Sequence, residues 1–233
     1  MDNRQKYVSF GDTVMKNITN EKITEFIDGL YKPLTSELSE LRVKSEEEHV
    51  PIILRETETL LLHLIRLKKP SRILEIGTAV GYSSSCFAQV CPACTIATIE
   101  YNEETYHTAI ENIKRLGYDN QIKVYLGDGG EILDQFHEQG NAGFDMVFID
   151  ASKSHYRRFW DGAVKLCNDE ALIVSDNILM KGMTVSEEYD YKGKHKTNIR
   201  NMRDYLAYIL SLEYAKTSII PSGDGLAISI ISK

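Results

Sequence analysis

Residues 144–177 read FDMVFIDASKSHYRRFWDGAVKLCNDEALIVSDN and change periodicity twice. The runs Met146 to Ile149 and Leu172 to Val174 are continuously apolar, as strands covered on both faces require. Between them, residues 154–167 place apolar side chains at helical spacing. Phe159, Trp160 and Val164 form the buried face of that helix. A strand, a helix and a second strand in this order make a parallel βαβ unit. Both apolar runs end in polar residues, Asp150 in one case and the pair Asp176 and Asn177 in the other.

The same alternation extends outward. RILEIG (72–77), TIATIE (95–100) and IKVYLGD (122–128) are further β-rich runs. EETYHTAIENIKRL (103–116) and GGEILDQF (129–136) are amphipathic helices between them. After a helix from about Ile199 to Leu212, YAKTSII and LAISIIS flank the short turn PSGDG, so these two strands are antiparallel. The expected fold is α/β: a Rossmann-like, doubly wound, mostly parallel seven-stranded sheet with a C-terminal antiparallel hairpin and extra N-terminal helices. Those helices carry the stripes Ile23, Phe26, Ile27 and Leu30; Leu34, Leu38 and Leu41; and Leu54, Leu61, Leu64 and Ile65. Their faces cover the mouth of the sheet, its flank or a dimer partner. We expect one domain over residues 1–233, with a helical segment at 1–70 and an α/β core at 71–233.

A composition of 42% hydrophobic and 26% charged residues suits a globular protein. There are 27 Lys plus Arg against 34 Asp plus Glu, a formal charge of −7 that argues against bulk attraction to DNA or to an anionic membrane. The start, MDNRQKYVSF, carries no signal-type apolar run, so the expected location is cytoplasmic. Cys91 and Cys94 in CPAC have the spacing of a redox or zinc half-site. No second close pair accompanies them, and they precede a strand instead of opening a helix, so they read as loop residues.

In an open α/β sheet, ligands bind beyond the carboxyl ends of the strands. The residues there are Glu75 and Gly77, Glu100, Gly127 and Asp128, Asp150, and Asp176 with Asn177. A row of carboxylates repels itself unless a cation or hydrogen-bond donors occupy the space between. The loop LEIGTAVGYSSS lacks the middle glycine of a dinucleotide fingerprint, and Glu75 would repel a pyrophosphate, which disfavours NAD. An adenosine without phosphates fits better: Gly77 permits close approach, Glu100 can accept both ribose hydroxyls, and an ammonium can be met near Glu75. These are the demands of S-adenosylmethionine. Ser83 either contributes a hydroxyl or caps the following helix. Asp150, Asp176 and Asn177 are hard oxygen ligands that suit Mg²⁺, with Mn²⁺ as another divalent ion of the same kind.

The succession ILEIGTAVGYSS, IE, GD, VFIDASK and SDN resembles the metal-dependent O-methyltransferases of the catechol and caffeoyl-coenzyme A type, over essentially the whole chain. HVPI, NIKRLG, VFIDASKSHYRRF, DNILMKG and IIPSGDGLAIS look closer still to the bacterial tRNA 5-hydroxyuridine methyltransferases, which make 5-methoxyuridine in the anticodon loop. The resemblance implies that Asp150, Asp176 and Asn177 hold the metal. It assigns Val43, Glu75, Gly77, Ser83, Glu100, Gly127, Asp128 and Asp150 to the cofactor and makes Lys153 the general base. The pair Gly129 and Gly130 departs from relatives that carry an alanine after the aspartate, and would loosen packing around the adenine.

Two basic segments then bear on the substrate. SKSHYRR carries His155, Tyr156, Arg157 and Arg158, and YKGKHKTNIRNMR carries Lys192, Lys194, His195, Lys196, Arg200 and Arg203. They could hold the phosphates of a tRNA anticodon stem-loop while Tyr156 or Tyr191 stacks a splayed base. The expectation is therefore a tRNA-directed O-methyltransferase, a homodimer as its resemblance implies. A small-molecule O-methyltransferase acting on vicinal hydroxyls is the alternative. A non-catalytic RNA-binding protein is a third reading, opposed by the complete metal triad.

Overall fold

The structure is a computed structural model that describes residues 21–233. The segment Met1–Phe10 lies outside the described residues, and the N-terminal helical segment is seen from residue 21 on. Its helices are α1 (Glu21–Leu30), α2 (Ser36–Glu47) and α3 (Arg55–Lys68). There follow β1 (Arg72–Ile76), α4 (Tyr82–Val90), β2 (Thr95–Glu100), α5 (Glu103–Arg115), β3 (Ile122–Leu126), α6 (Gly129–Glu138) and β4 (Phe144–Ile149). The chain continues through α7 (Tyr156–Leu166), β5 (Cys167–Ser175), α8 (Lys196–Ser211), β6 (Ala215–Ile220) and β7 (Leu226–Ile231).

The seven strands form one sheet in the order β3-β2-β1-β4-β5-β7-β6. The first five are parallel, and β7 runs antiparallel to both β5 and β6. The order reverses at β1 and β4, where the crevice of a doubly wound sheet opens. Continuous apolar runs are explained by the two faces. Met146 and Phe148 of β4 enter a core shared with α2 to α5, whereas Val147 and Ile149 enter one shared with α6, α7 and α8. Phe159 and Trp160 are buried in the second core, as their spacing predicts, with Val164 packed against it.

Local chemistry sets several boundaries. The side chains of Thr35, Asn102 and Asp128 accept from Leu38 N, Thr105 N and Glu131 N, which caps α2, α5 and α6. Strand β5 begins at Cys167, four residues before the expected ALIVSD run, because Phe144 pairs with Cys167 ahead of a register shift. The N-terminal stripes behave unequally. Leu38, Leu41, Leu61 and Ile65 are buried where α2 and α3 flank α4, and this selects the flank of the sheet. Leu54 precedes α3 and is exposed, as are Ile23, Phe26, Ile27 and Leu30 of α1. Cys91 and Cys94 lie in the loop before β2 as free thiols. No described helix is long and apolar enough to cross a membrane.

Candidate active site

A cleft of about 1550 Å³ lies beyond the carboxyl ends of β1, β2, β4 and β5. The end of β1 forms its floor. Gly77 has φ +106°, and a Cβ there would overlap the carbonyl oxygen of Asp150, so the glycine lets the ends of β1 and β4 close on one another. Glu75 lies beneath this floor, fully buried and outside the cleft lining. It accepts from Ser83 Oγ and Thr98 Oγ1, both at 2.5 Å. Burial pushes its carboxyl up to about 7, with the two hydroxyls opposing and Asp150 adding to the shift. Ser83 lines the cleft and donates its hydroxyl to Glu75, and the N-cap position of α4 is held by Gly81.

Glu100 enters the cleft from the end of β2, steered by two backbone donors, Ala79 N to Oε2 and Asn102 N to Oε1, each at 2.9 Å. Gly127 and Asp128 follow on the same wall. Asp128 accepts a 2.8 Å ion pair from Arg158, whose guanidinium lies over Gly130 where any Cβ would overlap it. Gly130 thus makes room for the arginine, while a Cβ at Gly129 would press on Phe159 and Ile76. Val43 is 49% exposed and is not among the residues lining this cavity. The wall that closes over the cleft is the segment Glu48 to Leu54. Its neighbour Arg42 is buried instead, donating to Glu58 Oε2 at 2.7 Å, Tyr82 OH at 3.0 Å and Ile53 O at 2.9 Å.

Lys153 organises the other end of the cleft. Its Nζ lies 3.2 Å from Asp150 Oδ1, 2.7 Å from Asn177 Oδ1 and 3.0 Å from Tyr156 OH. Tyr156 passes the contact on, donating to Asp176 O at 2.8 Å. Asp176 is buried and accepts from Asn177 N at 2.6 Å. Burial, with the nearby charge of Asp150, drives its carboxyl well above the usual range. The sequence brings Asp150, Lys153, Asp176 and Asn177 together as expected. It missed the remaining lining residues of this end: Asp224 from the β6–β7 turn, and Met180, Lys181 and Met183 after β5. The one available signal for Asp224 was its place in IIPSGDGLAIS, which was read as a turn and as a motif of the resemblance, with no role given to the aspartate.

The basic segments do not form the expected phosphate-binding face. Tyr156 is 1% exposed and holds Lys153, so it offers no ring to a base. Arg158 is committed to Asp128, and Arg157 lies 3.9 Å over the Tyr208 ring and 3.8 Å from Asp161. Of the second segment only His195 and Asn198 line the cleft, together with His155 from the first. Lys192, Lys194, Lys196 and Arg200 are exposed outside it, while Arg203 donates to Thr184 O at 2.8 Å.

A glycine loop at the switch point of a 3-2-1-4-5-7-6 sheet, an acid at the end of β2 and a lysine among oxygens at the end of β4 define a class I S-adenosylmethionine-dependent methyltransferase. The chain belongs to the O-methyltransferase family, whose sequence model matches residues 28–231. It is 36% identical over 125 residues to a catechol O-methyltransferase of Niastella koreensis, a match covering 53% of this chain and 57% of that protein. It is 26% identical over 221 residues to a caffeoyl-CoA O-methyltransferase of Stellaria longipes, covering 90% of each. Its fold matches a Bacillus cereus O-methyltransferase solved with S-adenosylhomocysteine, with a TM-score of 0.80 at 21% identity over 91% of this chain and 97% of that one.

These findings correct the substrate expectation. The curated relatives are named for catechol and caffeoyl-CoA acceptors; of the residues expected to hold an anticodon stem-loop, Tyr156 is buried, Arg157 and Arg158 pair with Asp161 and Asp128, and Lys194, Lys196 and Arg200 lie outside the cleft. Neither tRNA modification nor a tRNA partner survives. The expected magnesium requirement gains no support either. Among the described residues no group of three or more His, Cys, Asp or Glu side chains is placed to hold a metal ion, and a lysine ammonium lies between Asp150 and Asn177.

Proposed function

We propose that this protein methylates one hydroxyl of a small catechol-like acceptor, free or as a coenzyme A ester, in the cytoplasm. The observation that carries the reading is Lys153 Nζ, held by Asp150 Oδ1, Asn177 Oδ1 and Tyr156 OH at the end of a cleft whose opposite wall carries Glu100. When bound, S-adenosylmethionine supplies an activated methyl on a sulfonium. Glu100, oriented by Ala79 N and Asn102 N, accepts from the ribose hydroxyls, and Gly77, Gly127 and Asp128 line the adenosine. Lys153, once its ammonium has released a proton to solvent, takes the proton of the acceptor hydroxyl as a neutral amine, while Asp150 and Asn177 fix the direction of its Nζ. The cleft would hold the acceptor oxygen in line with the donor's methyl group and exclude water, and that alignment is the protein's contribution. Met180, Met183 and Phe159 give the acceptor ring an apolar wall.

The donor set also fits a divalent cation. Two carboxylates and an amide are hard oxygens, and the buried Asp176 carboxyl has Asp150 beside it to repel its charge. Asp150, Asp176 and Asn177 would hold the ion, which would supply positive charge to acidify the acceptor hydroxyl. Mass spectrometry of a reaction with S-adenosylmethionine and 3,4-dihydroxybenzoate, with and without chelator, tests both parts. A monomethylated product supports the acceptor class, and its disappearance on chelation, restored by Mg²⁺ or Mn²⁺, supports the cation. Undiminished turnover in excess chelator removes the cation, and no product in any condition removes the acceptor class.

A further inference from the structure

Three non-glycine residues within five positions adopt left-handed backbone conformations after β5: Asn177 at φ +54°, Met180 at +48° and Lys181 at +54°. Asparagine tolerates this region, but methionine and lysine seldom enter it, because their Cβ approaches the following carbonyl oxygen. Such a conformation persists only where its surroundings over-determine it. The surroundings here are the β6–β7 turn. Ile178 N donates to Gly225 O and Leu179 N to Asp224 O, each at 3.0 Å. Lys181 N donates to the Asp224 carboxylate through a short hydrogen bond to Oδ1. Gly225, at φ +85°, has no room for a Cβ against Leu179, so the turn lies directly on the segment. From the other side Thr184 Oγ1 donates to Ile178 O at 2.8 Å.

The conformation held in this way faces the reaction. Asn177 turns Oδ1 to within 2.7 Å of Lys153 Nζ, and Met180, Lys181 and Met183 line the acceptor end of the cleft. Left to itself, this segment would relax toward right-handed or extended backbone, swinging Asn177 off Lys153 and opening that wall. Of the three grips supplied by the turn, two use backbone carbonyls that any residue provides. The third is a charge-assisted bond that depends on the side chain at position 224.

We infer that Asp224 is a positioning residue for the acceptor wall, its carboxylate locking residues 177–183 in a left-handed arrangement that aims Asn177 at Lys153. The kinetic half of the inference rests on the acceptor reading above, and the structural half does not.

The test compares Asp224→Ala with Asp224→Asn, whose amide oxygen can still accept from Lys181 N. Hydrogen exchange of the amides of residues 178–182, measured without acceptor, should quicken about tenfold in Asp224→Ala, the loss expected for one charge-assisted hydrogen bond, and by a smaller factor in Asp224→Asn, which keeps the acceptor and loses its charge. The KM for 3,4-dihydroxybenzoate should rise by a similar factor in Asp224→Ala. Affinity for S-adenosylhomocysteine, bound at the other wall, should stay within about twofold in both variants. In the Asp224→Ala background, Lys181→Gly should recover more of the acceptor KM than Lys181→Ala, since glycine enters the left-handed region freely. Unchanged exchange in Asp224→Ala overturns the inference, and so does an Asp224→Asn protein as impaired as Asp224→Ala. If Asp224→Ala does not fold, the single variants decide: Lys181→Gly should melt above Lys181→Ala, and an equal or lower melting temperature overturns the inference. A wild-type enzyme inert toward dihydroxybenzoate removes the acceptor reading and leaves exchange to judge Asp224.

Discussion

Glu100 and Glu75 are both acids at parallel strand ends, and their surroundings give them opposite tasks. Glu100 stays in the cleft with each oxygen steered by one backbone N–H, which leaves its remaining lone pairs for a ligand. Calorimetry should find S-adenosylhomocysteine binding weakened by about 1.5 to 3 kcal/mol in Glu100→Ala, the range for hydrogen bonds to a charged group. An unchanged dissociation constant would take Glu100 out of the site. Glu75 is sealed beneath the floor, where burial holds it at about 7 against an ordinary value of 4.5. An acid raised on folding binds its proton more tightly in the native state, so its contribution is full below pH 4.5 and is lost as pH rises toward 7. Thermal melts of the ligand-free protein should therefore decline between pH 5 and 8, with roughly 3 kcal/mol assignable to this group. Glu75→Gln should flatten that decline, and a variant with the wild-type slope would refute the assignment. Both acids were legible in the sequence as strand-end residues. That Ser83 and Thr98 reach Glu75 from α4 and β2 and seal it while Glu100 lines the cleft was not, because those contacts are non-local.

Strands and helices announce themselves through periodicity, and the elements that were misread are those whose phase or contacts are non-local. In α2 the apolar positions Leu38 and Leu41 gave the helix but left its third inward residue open, while Val43 entered only through the resemblance, as a residue closing over the cofactor. The residue that turns inward is Arg42, since Glu58 of α3 and Tyr82 of α4 await it there. This buried pair ties α2 and α3 to the helix that opens at the glycine loop. Its hydrogen-bond demand is met further by Ile53 O and Glu46. Replacing Arg42 with Ala should cost about 3 to 5 kcal/mol in denaturant unfolding, because it strands Glu58 without its partner. Replacing exposed Val43 with Ala should change stability by less than about 0.5 kcal/mol. Equal losses in the two variants would contradict the phase assigned to α2. The segment after β5 was equally illegible. Nothing in ILMKG marks Met180 and Lys181 as left-handed, because the β6–β7 turn that holds them lies more than forty residues further along the chain.

At the scale of the whole molecule the sheet was legible almost throughout, down to the antiparallel hairpin, because the central strands β4 and β5 write their two-sided burial into continuous apolar runs and the others are short β-rich runs between helices. Substrate class was not legible in the same way. Lysines and arginines near a site look alike in sequence whether they await phosphates or satisfy their own neighbours, and here Arg157 and Arg158 do the latter. What the molecule presents is a cleft of about 1550 Å³, with Gly77, Glu100 and Asp128, the residues proposed for the cofactor, in its lining and Lys153 among oxygens at one end. The measurement that bears most directly on this account is methyl transfer to 3,4-dihydroxybenzoate by wild-type and Lys153→Met enzyme, with S-adenosylhomocysteine affinity followed in parallel. The account predicts a monomethylated product and a fall in kcat of about 10²- to 10⁴-fold in the variant at unchanged cofactor affinity. A Lys153→Met enzyme that turns over as fast as wild type, or a wild-type enzyme that binds the cofactor tightly yet methylates no catechol, would contradict it.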